Sequence, residues 1–189
     1  ILACRHTNIE HIVLLGSTGP RKVVYDQLET YIFNCGISYT TIVATPLMND
    51  IFTEQYKNSV LFNYRANTPV PYLDPICLAK TIELTMENTA LYNKKIYATG
   101  TTQYYIQDVK KELVTAGYAV DKVDNIHTDK LFKTFGLSGD QILMTQLADE
   151  YDNNKYPDIS DDIYKLFRLS NRSLSTFITE DKYIFTDKR

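Results

Sequence analysis

The stretch His11-Ile12-Val13-Leu14-Leu15-Gly16-Ser17-Thr18 decides how the rest of this chain can fold. Its apolar run is typical of a strand buried in a parallel sheet. A helical pattern follows over residues 22–35, and its apolar side chains share one face: Val24, Leu28, Tyr31, Ile32 and Cys35. Gly36 stands where a capping glycine belongs. The β-branched residues 38–44 predict a second strand, so the unit is expected to be a right-handed crossover between parallel strands.

Local signals predict further elements downstream. Asp74-Pro75 favours a helix start, because aspartate caps a first turn and proline suits the first helical position. The apolar residues of that helix are Leu78, Ala79, Ile82 and Met86. Residues 95–99 predict a strand that ends at Gly100, and residues 105–116 predict an amphipathic helix. Residues 52–61 are assigned a helix with less support from the pattern.

The last third of the chain is predicted to be helical. Ser138 begins a capping box, and its helix carries Leu143, Leu147 and Tyr151. Two shorter helices are predicted over residues 161–167 and 175–183. Their apolar side chains, Ile163, Phe167 and Phe177, are expected to cover the strand ends and to form one wall of a substrate cleft, or only to close the core.

Composition excludes several classes of function. The chain has 189 residues, a net charge of −3 and no basic stretch, which argues against a nucleic-acid partner. No apolar run is long enough to cross a bilayer, so no membrane role is predicted. Three widely spaced cysteines indicate free thiols in a reducing compartment, and the expected location is the cytoplasm. Three scattered histidines lack the spacing of a metal site, so no metal is predicted.

The order of these motifs resembles the NmrA-like branch of the atypical short-chain dehydrogenase/reductase superfamily. Five segments carry the likeness in order: residues 8–17, Glu29 with residues 36–40, Val70-Pro71-Tyr72-Leu73-Asp74 with Leu78-Ala79, residues 95–100, and Leu169-Ser170-Asn171-Arg172 with Phe177. The resemblance implies a single α/β domain over residues 1–189, a three-layer Rossmann-like parallel sheet with a helical C-terminal lobe. Residues 1–100 would form mainly the core, and residues 101–189 mainly the substrate-side lobe.

The resemblance also implies a ligand. NAD or NADP is expected in the intact protein, as a reductase or a redox-sensing regulator, with a small-molecule substrate or a regulatory protein as partner. The strand and glycine-rich turn that hold a dinucleotide's phosphates are not found before His11, so the sheet is expected to be incomplete at its N-terminus. This chain by itself is therefore expected to bind no cofactor.

Candidate site residues follow from the strand ends and from the resemblance. Gly16 and Ser17 end the first strand, and Thr45, Pro46, Leu47 and Met48 follow the second, where open α/β sheets bind ligands. The first two residues, with Thr45 and Pro46, are assigned to the cofactor, and Leu47 and Met48 to the substrate. The catalytic Tyr and Lys of related enzymes fall at Arg21 and Tyr25, so the standard pair is absent, and Tyr25 remains the catalytic candidate.

Three other interpretations stay open. Residues 16–19 can be read as a first phosphate-binding loop, although Lys22 replaces its third glycine. The chain can be a non-enzymatic interaction domain that kept the fold and lost the cofactor. A third interpretation is a nucleotide-sugar or isoflavone-type reductase of the extended superfamily.

Overall fold

The computed structural model describes residues 8–18, 22–63, 68–126 and 158–181. The strands are β1 (His11–Ser17), β2 (Ser38–Ala44), β3 (Tyr56–Lys57), β4 (Val60–Asn63), β5 (Lys94–Ala98) and β6 (Lys122–Asn125). The α-helices are α1 (Lys22–Phe33), α2 (Pro75–Met86), α3 (Ile106–Thr115), α4 (Asp162–Phe167) and α5 (Leu174–Glu180). A π-helical turn (Ile51–Gln55) and a 3₁₀ turn (Thr89–Leu91) complete the regular structure of these residues.

The main sheet has the parallel order β1-β2-β5. β1 pairs with β2 along its whole length, from His11 opposite Ser38 to Ser17 opposite Ala44. β5 pairs with the other side of β2. The parallel strand–helix–strand unit predicted from the opening stretch is therefore confirmed, as is the strand predicted over residues 95–99.

Helices cover both faces of this sheet, which gives the predicted three layers. On one face, Ile42 packs with Cys77 and Leu78 of α2. On the other face, the contact with α1 is partly polar. The Thr41 hydroxyl donates to the Glu29 carboxylate at 3.1 Å, and Lys95 Nζ lies 2.7 Å from the same carboxylate.

The inner face of α1 differs from the predicted apolar stripe. Ile32 is buried as expected, but Leu28 is 39% exposed and Tyr31 is 47% exposed. Glu29 lies against the sheet because Thr41 and Lys95 bind its carboxylate. A polar pairing across the layer thus sets the rotation of the helix, and part of the apolar stripe is left on the surface.

The prediction of a helix over residues 52–61 is wrong from residue 56 onward, because the helical part ends with the π-helical turn Ile51–Gln55. Asn58 and Ser59 have φ angles of 52° and 60°, and they reverse the chain between β3 and β4. These strands form a second sheet of order β3-β4-β6, in which β4 and β6 are parallel. The sequence analysis missed this sheet, because its strands have two to four residues and show no clear periodicity.

The second sheet has its own apolar core. Met48, Leu61, Val109, Leu113 and Phe177 are among its buried members, so α3 and α5 both pack here. The predicted helices over residues 105–116, 161–167 and 175–183 correspond to α3, α4 and α5. The helix predicted after Ser138, with Leu143, Leu147 and Tyr151, lies outside the described residues. Among the described helices, none is long and apolar enough to cross a membrane.

Candidate functional site

A threonine lies just beyond each strand of the main sheet, at the edge where parallel strands all end. The Thr18 N–H and hydroxyl both donate to the Ala44 carbonyl, at 2.9 and 3.3 Å. The Thr99 hydroxyl donates to the Ser160 carbonyl at 3.3 Å and accepts the Ser160 N–H at 2.9 Å. These buried threonines therefore tie the strand ends to neighbouring chain segments.

The third threonine binds a segment that crosses the sheet. Residues 70–74, called here the crossing segment, lie over the ends of β2 and β5. The Thr45 hydroxyl donates to the Pro71 carbonyl at 2.6 Å, and the Gly100 N–H donates to the same oxygen at 3.1 Å. A Cβ on Gly100 would lie 2.1 Å from the Tyr72 carbonyl oxygen, so only glycine permits this approach.

The end of β1 is arranged differently. Gly16 is buried, and Ser17 is half-buried. The Ser17 hydroxyl donates to the carbonyl of the next residue, Thr18, at 3.1 Å. The hydrogen bonds of the crossing segment described here reach residues after β2 and β5. The Ser17 hydroxyl is therefore partly accessible at the end of β1.

Tyr25 lies next to the end of β1. A Cβ placed on Gly16 would be 3.8 Å from the Tyr25 Cβ, so the first turns of α1 pack closely against this strand. The side chain of Tyr25 is half-buried. The structure thus brings together two of the predicted site residues, Gly16 and Tyr25, while Ser17 follows Gly16 on the opposite face of the strand; their roles remain predictions.

The residues after β2 separate into buried and accessible ones. Thr45 is buried, while Pro46 and Leu47 are half-buried. Met48 is 1% exposed, and its side chain belongs to the core of the second sheet. A ligand at this edge would therefore meet Pro46 and Leu47 before Thr45 or Met48, and the assigned substrate role of Met48 remains a prediction.

The sequence analysis did not predict an ion-pair cluster that includes Asp74 of the crossing segment. Arg172 contacts both oxygens of Asp74, with Nε 2.8 Å from Oδ2 and Nη2 2.9 Å from Oδ1. The same guanidinium contacts Glu180 at 2.8 Å and Asp181 at 3.2 Å. The Asn171 side chain accepts the Asp74 N–H at 2.7 Å. This cluster fastens the end of the crossing segment to α5.

The electrostatics of this cluster favour its ionised form. The Asp74 side chain is 3% exposed, and this burial alone would raise its pKa. The hydrogen bonds from Arg172 and from the Ile76 N–H outweigh burial and hold the pKa of Asp74 below its usual range. The same pairing raises the pKa of Arg172. Both residues stood in the motifs that carried the resemblance, but their separation in sequence hid the contact.

Among the described residues, no three His, Cys, Asp or Glu side chains are grouped so that they could hold a metal ion. Ser17 at the end of β1 and Tyr25 on α1 are the predicted site residues near this strand end that carry a hydroxyl group.

Solved structures share this architecture at low sequence identity. A nucleoside-diphosphate-sugar epimerase from Staphylococcus aureus matches with a TM-score of 0.74 and 14% identity, over 94% of this chain and 67% of its own. An NADPH-dependent quinone oxidoreductase from Escherichia coli matches with a TM-score of 0.76 and 14% identity, over 98% and 71%. Triphenylmethane reductase from Citrobacter sp., solved with NADP(H), matches with a TM-score of 0.73 and 15% identity, over 95% and 67%.

These likenesses define the fold class. No protein-family model and no curated protein matches the chain by sequence. The structural matches confirm the Rossmann-like α/β fold predicted from the sequence, and at 14–15% identity they establish the fold alone. Two of the three matched proteins are described with NADPH or NADP(H).

Proposed function

We propose that this chain is part of an NAD(P)-binding protein of the NmrA-like type, acting as a reductase or as a redox-sensing regulator. The observation that carries the proposal is the accessible end of β1, where half-buried Ser17 ends the strand and Tyr25 of α1 lies against Gly16. In open α/β sheets, ligands bind outside the carboxyl ends of the strands. The shared fold with NADPH-dependent enzymes supports the same location.

The described residues suit the neutral part of such a cofactor. When bound, NAD(P)H would supply a hydride. Ser17 has a hydroxyl that can bind a ribose hydroxyl or a carboxamide, and Pro46 and Leu47 offer half-buried apolar surface after β2. Phosphate binding needs backbone N–H groups at a helix N-terminus or in a glycine-rich turn. We assign phosphate binding to residues outside the described ranges.

Tyr25 would take part in ligand binding without a lysine partner. In the proposed site its hydroxyl would orient a ligand rather than donate a proton, because the resemblance places Arg21 and Tyr25 where related enzymes have a tyrosine and a lysine. A regulator that binds the dinucleotide without turning it over needs only this binding role.

Calorimetric titration with NADPH tests the proposal on two polypeptides. One is the 189-residue chain, for which binding weaker than micromolar is expected. The other carries the coding sequence that precedes Ile1, which should encode a strand followed by a glycine-rich turn and should restore binding. A Ser17→Ala variant of the longer protein should bind more weakly. The proposal fails if the reading frame starts at Ile1 or if the longer protein does not bind NADPH.

A non-enzymatic interaction domain is the second candidate function. It is favoured by the absence of the tyrosine–lysine pair and by the buried positions of Thr45 and Met48. A protein of this kind would keep the fold and show no dinucleotide binding in the same titration, whichever polypeptide is used.

A further inference from the structure

A small polar cavity lies where the parallel strands of the second sheet end. β4 ends at Asn63 and β6 ends at Asn125, and these two residues are opposite each other in the register. The Asn63 side-chain amide donates to the Asn125 side-chain oxygen at 2.8 Å. Asn63 lines the cavity together with Gln55 and Tyr72. In open α/β sheets, ligands bind outside the carboxyl ends of the strands, so the cavity has the position expected of a binding site.

The floor of this cavity is polar, buried and uncharged. Gln55 is 1% exposed, and Tyr72 and Asn63 are also buried. Four half-buried residues form the rim of the cavity, and they too are uncharged: Phe62, Thr68, Tyr104 and Ile106. A charged group would lose its hydration here without meeting an opposite charge among these residues. The cavity therefore suits a neutral group.

The Gln55 amide has hydrogen-bonding capacity that its partner does not use. Its Nε2 donates to the Tyr72 hydroxyl at 2.8 Å, and this hydroxyl donates to Gln55 Oε1 at 3.0 Å. Within the described residues, the Gln55 side chain makes no further hydrogen bond. A primary amide can donate two hydrogen bonds and accept two, so one N–H and one acceptor position remain. A group that both donates and accepts would use this remaining pair.

We propose that the cavity binds the hydroxyl group of a neutral alcohol, whose apolar body lies against the rim. The volume of the cavity is about 10 Å³, which admits one water-sized group. A hydroxyl fits this space with a single oxygen atom, because it can donate to Gln55 Oε1 and accept from Nε2. A carbonyl oxygen can only accept, and an ammonium group can only donate. Phe62 and Ile106 of the rim offer apolar surface to the rest of the ligand.

The cavity is separate from the candidate site at the end of β1. Tyr72, which lines the cavity, packs in the core of the second sheet, whereas its neighbour Leu73 packs in the core of the main sheet. At these residues the crossing segment therefore separates the cavity from the main-sheet core. The inference goes beyond the proposed function, because an alcohol can bind here whether or not the chain binds a dinucleotide elsewhere.

Nuclear magnetic resonance of the side-chain amides tests the inference on the whole chain. Benzyl alcohol should shift the Gln55 NH₂ signals in a saturable way, with a Kd on the order of 1 mM, as expected for a ligand of this size. Benzylamine carries the same ring and is charged at neutral pH. It should bind at least about tenfold more weakly, because its ammonium group cannot accept a hydrogen bond and would lose its hydration.

A variant of Gln55 tests the same contact from the side of the protein. Gln55→Leu removes both hydrogen-bonding groups and should weaken benzyl alcohol binding about tenfold, measured through the Asn63 and Asn125 amide signals. Gln27→Leu is the matched control, since Gln27 is exposed on α1, and it should bind as the wild type does. If Gln55→Leu fails to fold, the comparison of the two ligands on the wild type still decides.

Three results would overturn the inference. Benzyl alcohol that leaves the Gln55 signals unchanged would show that the cavity admits water alone. Equal binding of benzylamine would show that the cavity does not select a neutral hydroxyl. Unchanged binding by a folded Gln55→Leu variant would show that the ligand lies elsewhere on the chain.

Discussion

The two edges of the main sheet differ in whether their outward-pointing backbone groups have hydrogen-bond partners. At the β5 edge, the Tyr97 N–H donates to the Asp162 carboxylate at 2.9 Å, and Thr99 exchanges two hydrogen bonds with Ser160. β5 also begins with Lys94 and Lys95. At the β1 edge, the described residues offer no such partner and no charge. One edge is closed by the chain's own side chains, and the other is ready to accept a strand.

The difference indicates that the sheet ends at β5 and that a further strand can be added beside β1. A strand that is apolar on both faces is typical of the interior of a parallel sheet. β1 has this character, although it lies at an edge of the sheet in the described residues. The closed side also carries the crossing segment and α4, whereas the open side carries Ser17 and Tyr25. The candidate site therefore lies at the open side, near β1.

Of the variants proposed, Gly100→Ala should destabilise the closed side of the sheet most. The new Cβ would lie 2.1 Å from the Tyr72 carbonyl oxygen, so the crossing segment must move, and we expect a loss of about 3 kcal/mol in the free energy of unfolding. Chemical denaturation measures it. Gly36→Ala is the control: its φ of 72° is strained for alanine but its surroundings are open, so it should cost only about 1 kcal/mol. Equal losses would refute the close approach.

Arg172→Ala should have the next largest effect. It leaves the Asp74 carboxylate buried without its cation, and we expect a loss of about 3 kcal/mol in the free energy of unfolding. Lys165→Ala removes an exposed pair with Asp161 and serves as the control, with no measurable change. Denaturant midpoints of the two variants decide the matter, and a loss at Lys165 as large as that at Arg172 would contradict this account.

Acid should weaken the closed side through the same carboxylate. Because the pKa of Asp74 is lower in the folded chain than its ordinary value of 3.8, its contribution to stability is present above that value. The contribution is lost as the pH falls through the lowered folded pKa. Denaturation measured from pH 6 to pH 2 should show this loss in the wild type. The loss should be smaller in Asp74→Asn, and an equal acid dependence in the two proteins would exclude Asp74 as its source.

Asp162→Ala tests whether Asp162 or the two lysines protect the β5 edge from association. It removes the acceptor of the Tyr97 N–H, and we expect a loss of about 1 kcal/mol in the free energy of unfolding. Lys94 and Lys95 still charge this edge, so the association state should stay that of the wild type. Light scattering and denaturation on one preparation measure both. New oligomers of the variant would show that Asp162, rather than the lysines, keeps the β5 edge apart.

Tyr25→Phe should have the smallest effect, on the open side. If the longer protein reduces a substrate, this change should alter turnover less than about tenfold, because general acid catalysis by a side chain contributes about a hundredfold or more. Steady-state kinetics with NADPH measure it, with Ser17→Ala assayed beside it. A thousandfold loss at Tyr25 would identify this tyrosine as the proton donor.

Local sequence signals were sufficient to predict the main sheet and its helices. β1, β2 and β5 follow from apolar and β-branched runs, and α2 follows from its cap, since the Asp74 side chain accepts the Ile76 N–H at 3.1 Å. The capping glycine Gly36 has a φ angle of 72°, as its position predicted. These signals are local, because periodicity and capping act within a few residues. The edge where candidate residues would gather followed from the parallel order.

Contacts between side chains that are distant in sequence became visible only in the folded chain. Glu29 sets the rotation of α1 about its axis, because its partners Thr41 and Lys95 come from two different strands. Arg172 reaches Asp74 across 98 residues of sequence, and Asp162 reaches Tyr97 across 65. The short strands β3 and β6 exist because β4 lies between them. Pairings between distant residues depend on the folded path of the chain, so local patterns could not reveal which edge of the sheet is closed.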